Sequence, residues 1–235
     1  MIKRFLSGPA TTNKEMTTRT VATLFFFLAL VSACSTSRQE VAPESAYVVA
    51  SWYGADFHGR PTSSGEIFNM YSMTCAHRTY PFGTKLKVTN AANKKTIECI
   101  VNDRGPFVRG RDIDLSYAAA REIGVIGRGT AEVLIEVSGR DSSYIRKVRV
   151  QGAGKTGPFA IQVGSFSEGI NAVRLKRALN LKYENVYIQE AEIKGSTYYR
   201  VRVGDYDALP DAVLAAEQLG QEGYQAQVVR ADTKI

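Results

Sequence analysis

The stretch "TIECIVNDRGPF", residues 96–107, predicts a short β-strand that ends in a turn. Side chains alternate between the two faces of a strand, so Cys99, Val101 and Asp103 share one face. The Gly-Pro pair that follows turns the chain away and leaves this edge open. We therefore expect Asp103 at the rim of a sheet, at the end of an otherwise apolar strand face.

Further segments between residues 46 and 138 have the same short, strand-like character, with glycine-rich connections between them. One helix is predicted at "SYAAAREIG" (116–124), with Ser116 as its N-cap and Gly124 as its C-terminal stop. Many short strands with such connections indicate a small closed β-barrel. The other five strands are "YVVASWYG" (47–54), "SMTCAH" (72–77), "KLKVTN" (85–90), "RDIDLS" (111–116) and "AEVLIEVSG" (131–139).

Residues 158–235 contain an internal repeat, in which "FAIQVGSF" (159–166) matches "YRVRVGDY" (199–206) at an offset of 40 residues. Each copy begins as an alternating strand and is followed by a helical pattern of apolar residues. Two more strands are predicted at "NVYIQE" (185–190) and "YQAQVVR" (224–230). The order βαββαβ predicts an α+β domain with a four-stranded antiparallel sheet and both helices on one face.

Strand parity predicts which side chains occupy the face of this sheet that the helices leave open. Tyrosine rings there can stack on the C–H surfaces of sugars, and amides and guanidinium groups can bond hydroxyls and carbonyls. An ordinary solvated sheet face is the alternative, and RNA, which similar sheets bind, is disfavoured for an exported chain. The open-face residues are Gln162, Tyr187, Tyr198, Arg200 and Arg202.

Residues 1–33 are predicted to be a secretion signal and not part of the fold. Basic residues precede the apolar run "VATLFFFLALVSA" (21–33), which is too short to span a bilayer comfortably and ends in small residues. The junction "LVSAC" resembles a lipobox, so we expect Cys34 to be lipidated; a general signal that leaves a free thiol is the alternative. Met16 offers a second, more compact start, and residues 34–45 are predicted to be a polar tether.

The net charge of +7 does not belong to either predicted domain. The basic excess lies in the signal segment and in residues 139–157, which are predicted to be a solvated basic linker. Neither domain therefore has the bulk positive charge of a nucleic-acid binder, and no nucleic-acid partner is expected.

Two cysteines and a histidine are expected inside the barrel or at its mouth. Cys75 and His77 share a face of their strand, as Cys99 and Asp103 do on theirs. Export to an oxidising compartment favours a Cys75–Cys99 disulfide. A metal site of Cys75, His77 and Cys99 is the alternative, but fewer than four clear ligands argue against it, so no metal or other cofactor is expected.

Glu66, which follows the turn "TSSG", joins His77 and Asp103 as a candidate groove residue. Two acids and a histidine suit cleavage of a glycosidic bond, in which one group protonates the leaving oxygen and another stabilises positive charge or takes a proton. Taken singly, Glu66 is equally a solvated turn acid, His77 a satisfied core histidine, and Asp103 or Asp114 a turn or cap ligand.

Two family resemblances connect these motifs. Residues 158–235 resemble the sporulation-related repeat (SPOR) domain, on "FAIQVGSF", "YYRVRVGDY" and "GYQAQVV". The motifs "ASWYG", "FHGRPTSSGE", "AHRTYPFGTKLKVTN", "VNDRGPF" and "RDIDLSYAAA", in this order, resemble the rare lipoprotein A family. The resemblance implies an all-β, six-stranded double-psi β-barrel over residues 46–138, followed by an α+β SPOR domain.

The barrel resemblance also implies an activity, that of an endolytic peptidoglycan lytic transglycosylase. Such a lyase cleaves the MurNAc-β-1,4-GlcNAc bond without water and leaves 1,6-anhydroMurNAc ends. Asp103 carries over as the principal acid/base, Glu66 as its partner, and His77 as a groove residue that polarises or positions. Asp114 in "IDLS" resembles the aspartate of expansin-like and other transglycosylase barrels and is a second candidate for the acid. A non-catalytic, expansin-like glycan-binding or wall-loosening lipoprotein is the alternative.

The SPOR resemblance implies binding to glycan strands that lack stem peptides, which are enriched at the division septum. Its glycan contacts carry over to Gln162, Ser165 and Arg200, and strand parity adds Tyr198 and Arg202.

The same features predict where the chain resides. A lipid on Cys34 would anchor it to a membrane of the cell envelope. Ser35 stands where an aspartate would retain a lipoprotein in the inner membrane, so in a Gram-negative cell we expect the outer membrane, facing the periplasm. Division-septum proteins are further expected partners.

Overall fold

The computed structural model describes residues 44–231 except 151, 153 and 155. The predicted signal segment, Cys34 and most of the tether lie outside the described residues. Within the described part of the chain, no helix is both long and apolar enough to cross a membrane.

Six strands form a closed barrel, as the sequence predicts. They are β1 (Ser45–Trp52), β2 (Thr74–His77), β3 (Thr84–Asn90), β4 (Thr96–Asp103), β5 (Ile113–Leu115) and β6 (Ala131–Arg140). Their order around the barrel is β1-β5-β2-β4-β3-β6, with β1–β5 and β2–β4 parallel and the other pairs antiparallel. Side chains such as Leu86, Val101 and Ile113 are completely buried in its core.

One short helix, α1 (Tyr117–Glu122), lies between β5 and β6. The Ser116 Oγ accepts a hydrogen bond from the Ala119 amide at 3.1 Å, which is the predicted N-cap. Gly124, with a φ of +73°, follows the helix and ends it, because this left-handed conformation strains any residue that has a Cβ.

Most described side chains of the basic segment 139–157 are exposed, and its backbone is hydrogen-bonded to both domains. The Asp141 amide donates to the Gly83 carbonyl at 2.8 Å, and the Arg146 amide donates to the Gly220 carbonyl at 2.9 Å. The start of the segment is therefore hydrogen-bonded to the barrel, and a later part is hydrogen-bonded to the C-terminal domain.

The C-terminal domain is the predicted βαββαβ unit with one addition, a short edge strand from the linker. Its elements are β7 (Arg149–Val150), β8 (Phe159–Phe166), α2 (Gly169–Leu179), β9 (Val186–Ile193), β10 (Ser196–Tyr206), α3 (Leu209–Gln221) and β11 (Gln227–Arg230). The sheet order is β7-β11-β8-β10-β9; the four predicted strands are antiparallel, and β7 runs parallel to β11. The helices cover one face, where Leu175 and Leu219 are completely buried.

An irregularity in β8 changes the alternation of its side chains. The partner of Arg200 is Ser165 and that of Arg202 is Gln162, so β8 uses four residues where β10 uses three. Gln162 and Ser165 therefore face the same side of the sheet, although strict alternation would place them on opposite sides.

Candidate active site

Asp103 lies at the end of β4, at the rim of the barrel. Its Oδ1 accepts hydrogen bonds from the backbone amides of Ser63 and Arg104, both at 2.8 Å. Its Oδ2 accepts a hydrogen bond from the Tyr53 hydroxyl at 3.1 Å. Donors from separate parts of the chain therefore set the orientation of this half-buried carboxyl group.

Tyr53 is a candidate functional residue that the sequence reasoning missed. Its pKa is raised well above the ordinary value, by burial first and then by the charges of Asp103 and Asp114. The phenol therefore stays protonated and remains a donor to Asp103. The available signal was its place in "SWYG", directly after β1, where an aromatic residue with a polar tip ends a barrel strand.

Asp114, the second candidate acid, is held by a cation. It lies in β5 opposite Ser51, whose hydroxyl donates a hydrogen bond to it. The Arg111 guanidinium forms an ion pair with Asp114 at 2.6 Å, and only 8% of the Asp114 side chain is exposed. Asp114 is thus paired with a charge, whereas the hydrogen-bond donors to Asp103 are a phenol and backbone amides.

A cavity of about 400 Å³ brings the two aspartates together. Asp103, Asp114 and Tyr53 line it from the barrel, and residues of α2 line it from the C-terminal domain. The C-terminal domain therefore closes one side of the space in which both acids lie.

Glu66 binds the neighbour of Asp103 on β4. Its Oε2 accepts a hydrogen bond from the Asn102 Nδ2 at 2.8 Å, and the side chain of Tyr144 lies beside its carboxylate. Burial, and then this contact with Glu66, raise the pKa of Tyr144. Glu66 does not line the cavity that holds Asp103 and Asp114. Glu66 thus contacts the residue next to Asp103 rather than the space that Asp103 and Asp114 share.

His77 is a buried histidine in the structure and does not line the cavity of the two aspartates. Its Nδ1 accepts hydrogen bonds from the amides of Thr79 and Tyr80, both at 3.2 Å. Burial, followed by the charge of Arg104 and two other cations, lowers the pKa of His77 to about 3. The imidazole is therefore neutral near pH 7 with its proton on Nε2. This arrangement matches the core-histidine alternative and not the predicted groove position.

Cys75 and Cys99 are adjacent in the barrel interior, but they are not bridged. Both are buried free thiols, and their side chains are in contact. Burial, and then this contact, raise the pKa of Cys75, so the group stays a thiol. The predicted disulfide is therefore wrong. Among the residues that the structure describes, no cluster of three or more His, Cys, Asp or Glu side chains could hold a metal ion.

The C-terminal domain keeps four of the five predicted glycan contacts at least partly exposed. Gln162 and Ser165 line a cavity of about 520 Å³ together with three cations of the linker. Ser165 and Tyr198 line a cleft of about 330 Å³ whose other wall is the barrel loop 61–65. Arg200 lies beside Ser165 on the neighbouring strand.

Arg202, the fifth predicted contact, is only 1% exposed. Its guanidinium donates to the carbonyls of Arg230 and Ala231, at 3.3 and 3.5 Å. Its register position opposite Gln162 is on the predicted face, but the end of β11 covers it. The prediction of Arg202 as an open-face glycan contact is therefore wrong, because alternation gives the face of a side chain and not what lies over it.

Comparison with known proteins adds the family. Residues 45–135 match the family model described as lytic transglycolase, and residues 155–230 match the SPOR domain. The chain is 43% identical over 187 residues to the endolytic peptidoglycan transglycosylase RlpA of Vibrio cholerae, covering 79% of this chain and 68% of that relative. The chain belongs to the RlpA family.

Other RlpA relatives match over shorter stretches. That of Campylobacter jejuni is 42% identical over 144 residues, or 55% of this chain and 52% of the relative. The probable RlpA of Nostoc is 56% identical over 94 residues, or 39% of this chain and 25% of the relative. The chain thus spans about half the length of the Campylobacter jejuni relative and a quarter of the length of the Nostoc relative. The solved apo expansin of Clavibacter michiganensis is 13% identical with a TM-score of 0.34, covering 69% of this chain and 80% of that chain; at this score the match favours no function.

RlpA membership and the SPOR match confirm the two family resemblances drawn from the sequence motifs. The closed six-stranded barrel and the βαββαβ unit confirm the predicted fold class.

Proposed function

We propose that this RlpA-family chain is an endolytic peptidoglycan lytic transglycosylase. It cleaves the MurNAc-β-1,4-GlcNAc bonds of glycan strands that lack stem peptides and leaves 1,6-anhydroMurNAc ends. The observation that carries the proposal is Asp103, a half-buried acid at the barrel rim that Tyr53 and Ser63 orient in a cavity shared with Asp114. Membership of the RlpA family supports the reaction class.

In this reaction Asp103 is the general acid and gives a proton to the glycosidic oxygen as the bond to C1 of MurNAc breaks. The C6 hydroxyl of the same MurNAc attacks C1 and gives its proton to Asp103, so no water is consumed. Tyr53 and Ser63 hold the carboxyl group in one orientation throughout. Asp114 faces the same cavity and stabilises the positive charge that develops at C1.

Glu66 and His77 act as positioning residues in this proposal. Glu66 holds the side chain of Asn102, which precedes Asp103 on β4. His77 accepts the amides of the turn at residues 79–80, next to the end of β2. Since β2 pairs with the end of β4 that carries Asp103, both contacts stabilise the backbone around the acid.

The SPOR domain recruits the enzyme to septal glycan through Gln162, Ser165, Tyr198 and Arg200. The SPOR match supports this glycan partner and the septal location. A lipid on Cys34 anchors the chain in the outer membrane, facing the periplasm, and division-septum proteins are further partners. The "LVSAC" junction and the serine after the cysteine support the anchor.

The test is to incubate the full chain with glycan strands freed of stem peptides and to search for 1,6-anhydro ends by mass spectrometry. We expect these ends with the wild type and their loss with Asp103→Asn. Asp205→Asn, at an exposed aspartate of β10, is the control and should remain active. Strands that bind without forming anhydro ends would support the expansin-like alternative and overturn the enzyme proposal.

A further inference from the structure

The cavity that holds Asp103 and Asp114 has a second wall, which the SPOR domain contributes. Helix α2 lines it with two apolar side chains and two arginines, Arg174 and Arg177. Arg174 also lines a second, smaller cavity beside Asp103 and Tyr53. Arg174 thus shares both spaces with the proposed acid.

The surroundings of Arg174 place its charge close to the hydrogen bonds of Asp103. The side chain is half-buried, and its guanidinium carbon lies 5.0 Å from the centroid of the Phe57 ring. Tyr53 is the phenol that donates to Asp103. Burial is the main cause of its raised pKa, and the positive charge of Arg174 acts to lower this pKa. Arg174 therefore faces the same cluster of groups as the acid.

Two other cations of this cavity bind groups of the protein itself, and Arg177 is exposed and does not line the smaller cavity beside Asp103. Arg111 forms its ion pair with Asp114, and Arg104 donates to the Tyr224 hydroxyl and to backbone carbonyls. Among the described residues, no carboxylate lies within ion-pair distance of Arg174. A guanidinium in this position suits an anionic group of the ligand, because it binds a carboxylate through two parallel hydrogen bonds.

We infer that Arg174 binds the lactyl carboxylate of MurNAc, beside the bond that Asp103 cleaves; this rests on the proposed function. MurNAc carries its lactyl group on O3. The carboxyl of that group is an amide while a stem peptide is attached, and it is a free anion after the peptide has been removed. The SPOR domain therefore supplies a residue that selects peptide-free substrate at the cleavage site, in addition to its own glycan-binding face.

The test changes the enzyme and the substrate in one cycle. The full chain and its Arg174→Gln variant are compared on strands with free lactyl carboxyl groups and on the same strands after conversion to neutral methyl amides. For the wild type we expect kcat/KM to fall about tenfold or more on amidation, the effect of losing a charge-assisted hydrogen bond. For Arg174→Gln we expect similar values on both substrates, with the loss relative to wild type mainly in KM.

Two further variants control the experiment. Lys176→Gln, on the same helix but outside the cavity lining, should keep the wild-type ratio between substrates. Arg174→Lys, which retains the charge, should recover part of the preference. The ratio compares two substrates on one enzyme sample, so partial unfolding of a variant does not alter it.

The outcomes are distinguishable. An unchanged substrate ratio in Arg174→Gln overturns the role of Arg174 and leaves the proposed function intact. If the wild type forms no anhydro ends on either substrate, the proposed function and this inference are both wrong.

Discussion

The Nε of Arg104 donates a hydrogen bond to the hydroxyl of Tyr224, 2.7 Å away and 120 residues later in the chain. The Arg104 guanidinium also lies 3.7 Å from the centroid of the Phe82 ring and is only 2% exposed. The residue next to the proposed acid is therefore an anchor between the barrel and the SPOR domain. Asp103 and Arg104 are thus neighbours with two roles: Asp103 is the proposed acid, and Arg104 binds the SPOR domain, which closes the cavity of that acid.

Removal of the Tyr224 hydroxyl should weaken this anchor. Tyr224→Phe leaves a buried, charged donor of Arg104 without its acceptor, so we expect the free energy of unfolding to fall by about 1.5–3 kcal/mol. Urea denaturation of the full chain measures the change. Tyr47→Phe, at a tyrosine that is 65% exposed, is the control and should be neutral. Equal effects of the two substitutions would contradict the anchor.

Substitution of the two cavity aspartates should have different effects, on activity for Asp103 and on stability for Asp114. Asp103→Asn keeps an acceptor for the Ser63 and Arg104 amides, and its Nδ2 can donate to the Tyr53 hydroxyl, so we expect little loss of stability and a fall in kcat of about 10²–10⁴-fold, the usual contribution of a general acid. Asp114→Asn breaks a largely buried ion pair with Arg111, so the free energy of unfolding should fall by about 2–3 kcal/mol. Anhydro-end formation and urea denaturation of both variants measure these effects. A fully active Asp103→Asn variant would move the acid role to Asp114.

The stability of the fold should depend on pH through His77. The pKa of His77 is about 3 in the folded chain against an ordinary value of 6.5, so between these values the unfolded chain binds a proton that the folded chain does not. The free energy of unfolding should therefore decrease as the pH falls from about 6.5 toward 4. Urea denaturation across this range measures it, and His77→Asn should have a flatter dependence than the wild type.

His58→Asn is the matched control for this measurement. Exposed His58 also accepts a backbone amide on its Nδ1, that of Met70 at 3.2 Å, and its replacement should leave the slope unchanged. Parallel profiles for the wild type and His77→Asn would show that His77 does not cause the loss of stability in acid.

Arg200 and Arg202, two residues apart on β10, should separate glycan binding from stability. Arg200→Ala removes a partly exposed guanidinium beside Ser165, so we expect binding of peptide-free strands to weaken about tenfold with little change in stability. Arg202→Ala removes a buried side chain that donates hydrogen bonds to two carbonyls, so the free energy of unfolding should fall by about 1–3 kcal/mol. The folded fraction of this variant should still bind glycan. Co-sedimentation with strands and urea denaturation measure the two properties. The reverse pattern would restore Arg202 as a glycan contact.

The thiols of Cys75 and Cys99 should react only when the chain unfolds. Both are buried and unbridged, so without reductant we expect iodoacetamide to label neither in the folded chain and both in urea. Mass spectrometry of peptides containing the two residues reads out the result. A pair that stays unlabelled in urea until a reductant is added would indicate a disulfide.

Local sequence patterns predicted the strands and helices, but they did not predict which other parts of the chain cover individual side chains. Strand β4 (Thr96–Asp103) lies where the sequence predicts a strand, and Ser116 caps α1 as expected, because alternation and capping involve residues a few positions apart. The positions of His77 and Arg202 were misjudged for a different reason. Strand parity assigned each a face, but a turn and the end of β11 supply the partners that bury them.

By itself the sequence determined the family resemblance, the closed barrel, the βαββαβ order and an acid, Asp103, at the end of an apolar strand. These features depend on periodicity, caps and motifs that are written within short stretches of the chain. Only the tertiary structure decided that Tyr53 orients Asp103, that Arg111 forms an ion pair with Asp114, and that α2 lines the cavity, where it contributes Arg174. The contacts of Tyr53 and of α2 join residues far apart in the chain, so no local pattern specifies them. Arg111 and Asp114 are three residues apart, but spacing alone does not specify which acid an arginine pairs with.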